Sequence, residues 1–331
     1  MTCARTVPPR PLRARFPAGG EYALSGLGAG SQGSYFGGML LQGGADVSFL
    51  VRPERAAELA ERGLVIKLPD GEIRQRVRAL LAGEIDGRYD VVLLACKTYD
   101  LGSAIEAVAP ALGERSAILP IQNGINHIEV LVDRFGRDRV LGGLSNVAAA
   151  RSPDGEVIWL PGTAGTLIFG ELTGAHTTRC DEIELTFAAG GVPGRISEHI
   201  IAEMWLKLFG FASVAVIAIL TRARAGEIAA AATSSAFVTS VIAECAMVTT
   251  AKGYSPPAAM SDAIRGLFAQ RGSIYSPSIL RDLEQGRPTE ADHTIGELVR
   301  CADQLGIEVP LLRAALCQLQ IHELRRQVRA V

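Results

Sequence analysis

A glycine-rich segment near the start of the chain limits most strongly what this sequence can fold into. A short apolar run at 22–24 leads into Gly28-Ala29-Gly30-Ser31-Gln32-Gly33, which matches the pattern G-x-G-x-x-G. A helix candidate and a second apolar stretch, 46–51, follow it. Strand, glycine loop, helix and strand in this order are typical of the βαβ unit that binds the pyrophosphate of a dinucleotide.

Each glycine of the motif has a physical role in such a unit. Gly28 allows the tight turn, Gly30 lets the backbone approach a pyrophosphate, and Gly33 lets the helix pack closely on the strand. The helix N-terminus then offers free N–H groups and a positive dipole end to the phosphates. An ordinary glycine loop is the alternative in a chain with 36 glycines, but the position between two strands favours nucleotide binding.

The residue that follows the second strand indicates which dinucleotide is bound. Enzymes that use NAD usually carry Asp or Glu there, because a carboxylate bonds the ribose 2′-hydroxyl. This chain has Arg52, and Arg55 follows shortly after. A guanidinium suits a 2′-phosphate, so the sequence favours NADP over NAD. The alternative is that Arg52 is merely a solvated arginine in a loop.

Two further apolar stretches, 89–96 and 117–121, are typical of strands buried on both faces. Lys97 follows the first of them, and Asn123 follows the second. The carboxyl ends of parallel strands are where α/β sheets bind ligands, so we expect both side chains to line a site. Either residue could instead simply terminate its strand.

The pattern of the second half of the chain is helical from Glu198 onward. The stretch 208–220 has no charge but only 13 residues, fewer than the ~20 that span a bilayer, so we predict a buried core helix. Thr289 is predicted to cap a helix over 290–305. Strands predicted at 157–159 and 166–170 should extend the N-terminal sheet in antiparallel fashion.

Composition excludes several classes of function. The formal net charge is −2, which gives no basic surface for nucleic acid. None of the six cysteines lies in a C-x-x-C pair, so we predict no metal site and no disulfides, and thiols that stay reduced in the cytoplasm. Residues 1–20 have several arginines and prolines but no apolar core or acid, which excludes a secretory signal. They lack serine, which favours a disordered tail over an organelle transit peptide.

From residue 22 onward the chain resembles the ketopantoate reductase (2-dehydropantoate 2-reductase) family. The matching motifs, in the family's order and spacing, are the glycine loop, Val51-Arg52, Cys96-Lys97, Gln122-Asn123-Gly124, Trp205-Leu206-Lys207-Leu208 and Ser278…Asp282…Gly286-Arg287…Thr289-Glu290. The resemblance implies an α/β fold: an N-terminal Rossmann dinucleotide-binding domain, here 21–196, followed by an all-α C-terminal domain, here 197–331, with the site between them.

The resemblance also implies an activity, the NADPH-dependent reduction of a 2-keto acid to a 2-hydroxy acid. In the family the substrate is ketopantoate, on the route to pantothenate. The expected partner is therefore a small molecule, with no nucleic acid and no membrane, and the resemblance leaves a homodimer open. The runner-up hypothesis is a protein of the same fold that binds or senses a dinucleotide without turnover.

Residue roles follow from the same resemblance. Lys207 matches the acid that meets the developing alkoxide, and Glu290 matches a carboxylate that bonds cofactor and either substrate hydroxyl or Lys207. Ser278 matches the serine that holds the substrate carboxylate. Lys97 and Asn123 match residues at the nicotinamide end of the cleft. Together these side chains favour an enzyme over a sensor.

Each of the two catalytic candidates could instead have a purely structural role. Lys207 lies four residues after Glu203, so the two could form a surface ion pair on one helix. Glu290 could be a first-turn glutamate stabilised by a helix dipole.

The chain departs from the family where the substrate is expected. Family members usually carry asparagine where Phe211 stands here, and often where Ala215 and Tyr275 stand. A third asparagine, expected near Ala225, is also missing. Phe211 cannot form a side-chain hydrogen bond and adds apolar bulk. With Ser278 and Asn123, Phe211 and Tyr275 are the predicted substrate-binding residues, and we expect a substrate less polar than ketopantoate.

Overall fold

The computed structural model describes residues 23–27, 30–85, 87, 89–160 and 164–329. The N-terminal residues 1–20, and Gly28 and Ala29 of the glycine motif, lie outside these ranges, so what the sequence predicts for them stays a prediction. The described chain has a sheet-and-helix region followed, from Ile200, by a region of helices alone. The predicted fold class is therefore confirmed.

The strands belong to three sheets. In chain order they are β1 Ala23–Leu27, β2 Asp46–Leu50, β3 Leu64–Leu68, β4 Gly71–Gln75, β5 Arg78–Leu80, β6 Tyr89–Leu94, β7 Leu112–Pro120, β8 Leu141–Asn146, β9 Ala149–Arg151, β10 Val157–Trp159, β11 Thr166–Glu171 and β12 Gly194–Ile196. The largest sheet is fully parallel and has the order β5-β2-β1-β6-β7. The glycine loop therefore follows the central strand, β1, and β2 and β6 lie on either side of this strand.

The helices divide at the same point of the chain. The first region holds α1 Ser31–Gln42, α2 Pro53–Arg62, α3 Leu101–Val108, α4 Asn126–Phe135 and α5 Thr178–Ala189. The second holds α6 Ile200–Thr221, α7 Ala225–Ala230, α8 Ser234–Ala251, α9 Ala258–Leu267, α10 Ser278–Glu284, α11 Ile295–Leu305 and α12 Pro310–Arg329. The helix predicted over 290–305 thus begins only at Ile295. Thr289 caps no helix, because its N–H and hydroxyl both donate to Glu323 of α12.

The strands predicted at 157–159 and 166–170 exist, but they do not extend the first sheet. β10 lies in a second sheet, ordered β4-β3-β10-β9, and β11 in a third, ordered β12-β11-β8. β11 is antiparallel to β8, whereas β10 is parallel to β3. A single parallel bridge between Ile118 and Val140 places the third sheet beside the edge strand β7. Sequence pattern predicted the strands but not their partners, of which β3 is distant from β10 in the chain.

Two glycines hold α1 close to the strands beneath it. A Cβ at Gly37 would lie 2.6 Å from two ring carbons of Phe49 in β2, and one at Gly38 would collide with Ile66 of β3. Both positions are buried. Close helix–strand packing, which the motif assigns to Gly33, therefore continues one turn further along the helix and fixes where the N-terminus of α1 points.

The core of the second region is built around α6. The predicted core helix is confirmed: α6 buries residues along its whole length and packs against α8, α10 and α12. At 22 residues it is longer than the charge-free run that predicted it. In the described chain, α6 and α8 are both long and apolar enough to cross a membrane when only length and composition are considered. Core helices of soluble proteins also meet these two criteria, and 67% of the most apolar window of α6 is buried.

Replacing Gly37 with alanine should lower stability, because the new methyl group would press on the fully buried Phe49 ring. Overpacking of this kind typically costs ~1–3 kcal/mol. Gly266 is the matched control, since it also lies in a helix, α9, but has nothing within 4 Å of a Cβ. Alanine there should be neutral or stabilise by up to about 1 kcal/mol through helix propensity. Urea unfolding measures both, and equal midpoints for the two variants would contradict the close approach.

Candidate active site

The N-terminus of α1 has the features of a phosphate site. Gly30 occupies the N-cap position with an extended backbone, no side chain caps the helix, and its first turn has no acidic residue. The first N–H groups of a helix have no partner within the helix. Because no side chain of the described residues caps this end, the backbone at Ser31, Gln32 and Gly33 fits the pyrophosphate of a dinucleotide.

The two arginines near the end of β2 have different environments. Arg52 is well exposed and forms an ion pair with Asp100, with 2.6 Å between Nη2 and Oδ1. Arg55 is buried, and its guanidinium donates to Glu58 and to the carbonyl oxygen of Gly155. Of the two arginines, Arg52 is therefore the one that a ligand at the carboxyl end of the sheet can reach, whereas Arg55 stabilises the packing of α2.

Glu290 joins the second region to the carboxyl edge of the parallel sheet. Its Oε2 accepts hydrogen bonds from Lys97 Nζ at 2.9 Å and from Asn123 Nδ2 at 3.5 Å. Its Oε1 accepts from the backbone N–H and the hydroxyl of Thr98, at 3.2 and 3.3 Å. Two predicted site residues from separate strands thus meet one carboxylate. Lys97, not Lys207, is the lysine that pairs with it.

Asp282 extends this cluster from α10. Its carboxylate lies 3.5 Å from Lys97 Nζ and accepts hydrogen bonds from Arg287 Nε and Nη2 at 2.9 and 2.6 Å. Burial by itself would lower the pKa of Lys97, but the carboxylates of Glu290 and Asp282 raise it above its ordinary value. Lys97 therefore remains protonated and acts as a fixed positive charge.

Lys207 has the opposite electrostatic environment. Its Nζ donates to the backbone carbonyl oxygen of Ser145 at 2.9 Å. Desolvation lowers its pKa to about 8, and the nearby Glu290 carboxylate only partly opposes this shift. The surface pair with Glu203 does not form, because Glu203 binds Arg195 and Ser197 instead. An amine with this pKa can both give and regain a proton near neutral pH.

A short chain of hydrogen bonds links Lys207 to the glycine motif. The Ser145 hydroxyl donates to Gln32 Oε1 at 3.2 Å, and Gln32 Nε2 donates to the carbonyl oxygen of Val147 at 3.4 Å. Gln32 belongs to the first turn of α1. These hydrogen bonds therefore fix the position of the Lys207 amine relative to the N-terminus of α1, through Ser145 of β8 and Val147.

A narrow pocket opens between the two regions, beside Lys207. Lining residues are Gln122, Asn123, Gly124, Gly143, Leu144, Met204, Lys207, Leu208 and Phe211. Asn123, Lys207 and Phe211, three of the predicted residues, are thus brought together. Polar groups come from the loop after β7, and most of the apolar surface comes from α6.

The remaining predicted residues lie elsewhere. Ser278 begins α10, and Tyr275 precedes this helix with 44% of its surface exposed. Neither residue is among those that line the narrow pocket. Ala215 is fully buried in the core and is not among the residues that line this pocket. Ala225 acts through its backbone, donating its N–H to the Tyr275 carbonyl oxygen at 3.0 Å.

Sequence reasoning assigned no role to three residues that hold the predicted site residues: Ser145, Asp100 and Asp282. Ser145 gave no signal, because Lys207 uses its backbone oxygen. Asp100 closely follows Lys97, and Asp282 stands within a matched motif, so both were visible in the sequence, but their partners were not.

Comparisons with known proteins follow the same division of the chain. Residues 26–174 match the family model described as ketopantoate reductase PanE/ApbA, and residues 199–323 match its C-terminal counterpart. An uncharacterized oxidoreductase of Bacillus subtilis, YkpB, is 35% identical over 90% of this chain and 97% of its own length.

Solved structures have the same fold. A PanE/ApbA family ketopantoate reductase from Ralstonia eutropha has a TM-score of 0.83 at 28% identity, and the match covers 92% of this chain and 99% of that one. A D-mandelate dehydrogenase solved with NADH and anilino(oxo)acetate also has a TM-score of 0.83, over 92% and 99% of the two chains, but only 18% identity. At that identity the likeness shows the fold alone.

The lowered pKa of Lys207 can be measured by trace labelling of amines at a series of pH values, with mass spectrometry of each labelled peptide. The labelling of Lys207 should have its midpoint near pH 8, because its pKa is lowered to about 8 by desolvation. Lys67 is the internal control, since its hydrogen bond to Glu72 raises its pKa and its labelling should begin at higher pH. A common midpoint for both lysines would show that Lys207 is well solvated.

Proposed function

This chain belongs to the ketopantoate reductase family, and on that premise we propose that it reduces a 2-keto acid to a 2-hydroxy acid with NADPH. One observation carries the proposal. An amine with a pKa of about 8, Lys207, lies in a narrow pocket between the dinucleotide-binding region and the helical region.

Each part of the site has a task in this reaction. The uncapped N-terminus of α1 would hold the pyrophosphate, Arg52 the ribose phosphate, and Lys97 with Asn123 the nicotinamide end. Bound NADPH would supply the hydride. Lys207 would donate its proton to the alkoxide oxygen that develops on the substrate, which is where a positioned acid stabilises the transition state most.

Glu290 is proposed to position these groups. It fixes Lys97 and Asn123 through hydrogen bonds, and its charge lies close enough to Lys207 to keep part of the lysine population protonated. Ser278, the first residue of α10, is proposed to hold the substrate carboxylate because it matches the serine to which the family resemblance assigns that role.

The pocket wall supports a substrate with an apolar side chain. Met204, Leu208 and Phe211 of α6 line it, together with Leu144. Ketopantoate carries a hydroxyl, and a hydroxyl buried without a partner costs about 1–3 kcal/mol. We therefore propose that a 2-keto acid without a hydroxyl in its side chain is reduced more efficiently.

The proposal is tested by following NADPH oxidation with a panel of 2-keto acids that includes ketopantoate, and by identifying the 2-hydroxy acid produced. Turnover with at least one apolar member is expected. Binding of the dinucleotide without turnover of any member would instead support the non-catalytic hypothesis.

Lys207→Ala should reduce kcat for reduction by ~10²–10³-fold, the usual cost of losing a group that stabilises developing charge. NADPH affinity should change little, because Lys207 binds the backbone of Ser145 and not the region of Arg52. Lys67→Ala, at an exposed ion pair, is the control and should keep full activity. Near-normal kcat in the Lys207 variant would mean that this lysine is structural.

The same lysine predicts how the reaction depends on pH. Lys207 must be protonated to act as the acid, and its pKa is about 8. The kcat/KM for reduction should therefore be highest below pH 8 and fall as the pH rises through that value. A flat profile up to pH 10 would exclude Lys207 as the proton donor.

Phe211→Asn should raise kcat/KM for ketopantoate by roughly 5–150-fold, because the amide supplies the partner that the substrate hydroxyl lacks. Trimethylpyruvate, the deoxy analogue of ketopantoate, is the matched control and should gain nothing. Wild-type kcat/KM on ketopantoate of about 10⁴ M⁻¹s⁻¹ or more would show that another residue already makes the contact.

A further inference from the structure

We propose that Asp100 limits the discrimination between NADPH and NADH, by holding the guanidinium that would bind the 2′-phosphate. The inference rests on the proposed use of a nicotinamide dinucleotide. It assigns to Asp100 a positioning role in cofactor specificity, separate from the reduction itself.

The topology brings the two residues together. β1 is the central strand, and β2 and β6 lie on either side of it. Arg52 follows β2 and Asp100 follows β6, so their side chains meet across the carboxyl end of β1, where the glycine loop begins. In a doubly wound fold this is the edge at which the ribose of the adenosine half is held.

The two side chains favour different cofactors. A guanidinium beside the ribose attracts a 2′-phosphate, which is present only in NADPH. A carboxylate at the same place repels that phosphate but can accept a hydrogen bond from the 2′-hydroxyl of NADH, as acidic residues do in NAD enzymes. With 2.6 Å between Nη2 and Oδ1, the carboxylate takes one of the guanidinium's hydrogen-bond donors, for which a bound phosphate would compete.

Two other described cations near these strand ends, Arg55 and Lys97, do not replace Arg52 in this role. Arg55 is buried and bonded to Glu58 and Gly155, and Lys97 is paired with Glu290 and Asp282. The choice between the cofactors therefore depends strongly on the pair of Arg52 and Asp100, whose formal charges sum to zero.

The pair is also weak enough for a ligand to open. The Arg52 side chain is 69% exposed and that of Asp100 is 31% exposed, and ion pairs between solvated side chains contribute little stability. Arg52 can therefore turn from Asp100 to a phosphate, but the carboxylate stays within reach of the phosphate and repels it.

The experiment measures the dissociation constants of NADPH and NADH by fluorescence titration, at low salt, for wild type and three variants. Asp100→Asn keeps the shape of the side chain but removes its charge. It should raise the selectivity for NADPH over NADH by roughly tenfold, since one repulsive contact with a phosphate is removed. The gain should shrink as ionic strength rises, because the contact is exposed.

The two other variants serve as counterpart and control. Arg52→Ala should lower the selectivity for NADPH, because the phosphate loses its cation. Asp70→Asn removes one negative charge from an exposed turn between β3 and β4 and should leave the selectivity unchanged. A merely structural effect of either test variant would weaken both cofactors alike and leave their ratio constant.

Each outcome bears on a different statement. If both cofactors bind and Asp100→Asn leaves their ratio as in wild type, the inference about Asp100 is overturned and the proposed function stands. If neither cofactor binds to wild type, both are overturned. A raised ratio in Asp100→Asn, a lowered ratio in Arg52→Ala and no change in Asp70→Asn together support the inference.

Discussion

The buried carboxylate of Glu290 is the interaction on which the rest of this site depends. Only 7% of its side chain is exposed, and a buried charge without partners is strongly destabilising. Its partners, Lys97, Thr98 and Asn123, all belong to the sheet region, so the requirement to satisfy one charge fixes the helical region against the ends of β6 and β7. The pairing of that carboxylate joins the two regions at the cleft, together with the packing of α6 on β8 and β11.

Different surroundings give two lysines of one cleft opposite pKa shifts. Lys97 faces two carboxylates, which raise its pKa, whereas desolvation lowers the pKa of Lys207 to about 8, and its Nζ donates to a neutral carbonyl oxygen. Groups whose pKa values are pushed apart by their surroundings are a common arrangement in sites that move protons. One lysine can thus serve as a fixed charge and the other as a proton donor, although their intrinsic chemistry is identical.

In the proposed function, selectivity depends on side chains outside this polar framework. Phe211 gives one wall of the pocket an apolar surface, and the exposed pair of Arg52 and Asp100 lies beyond the carboxyl end of β2. Neither Arg52 nor Phe211 holds the two regions together as Glu290 does. Under the proposed function, substitutions at Arg52 or Phe211 would change cofactor or substrate preference without breaking the hydrogen bonds of Glu290.

The sequence by itself determined the elements whose signal is local. The glycine motif, the buried strands that end at Lys97 and Asn123, and the apolar core of α6 were all predictable, since turn chemistry and burial patterns span only a few residues. The order of motifs also indicated the family, which the matches over 26–174 and 199–323 confirm.

Only the tertiary structure decided which of these elements meet. Thr289 has the local features of a helix cap, but Glu323, 34 residues away, takes its hydrogen bonds. Lys97 and Glu290 are 193 residues apart, and Arg52 and Asp100 are joined only because β2 and β6 flank the same strand. Contacts of this kind depend on strand order and helix packing, and these are set by burial summed over the whole chain. No local pattern records them.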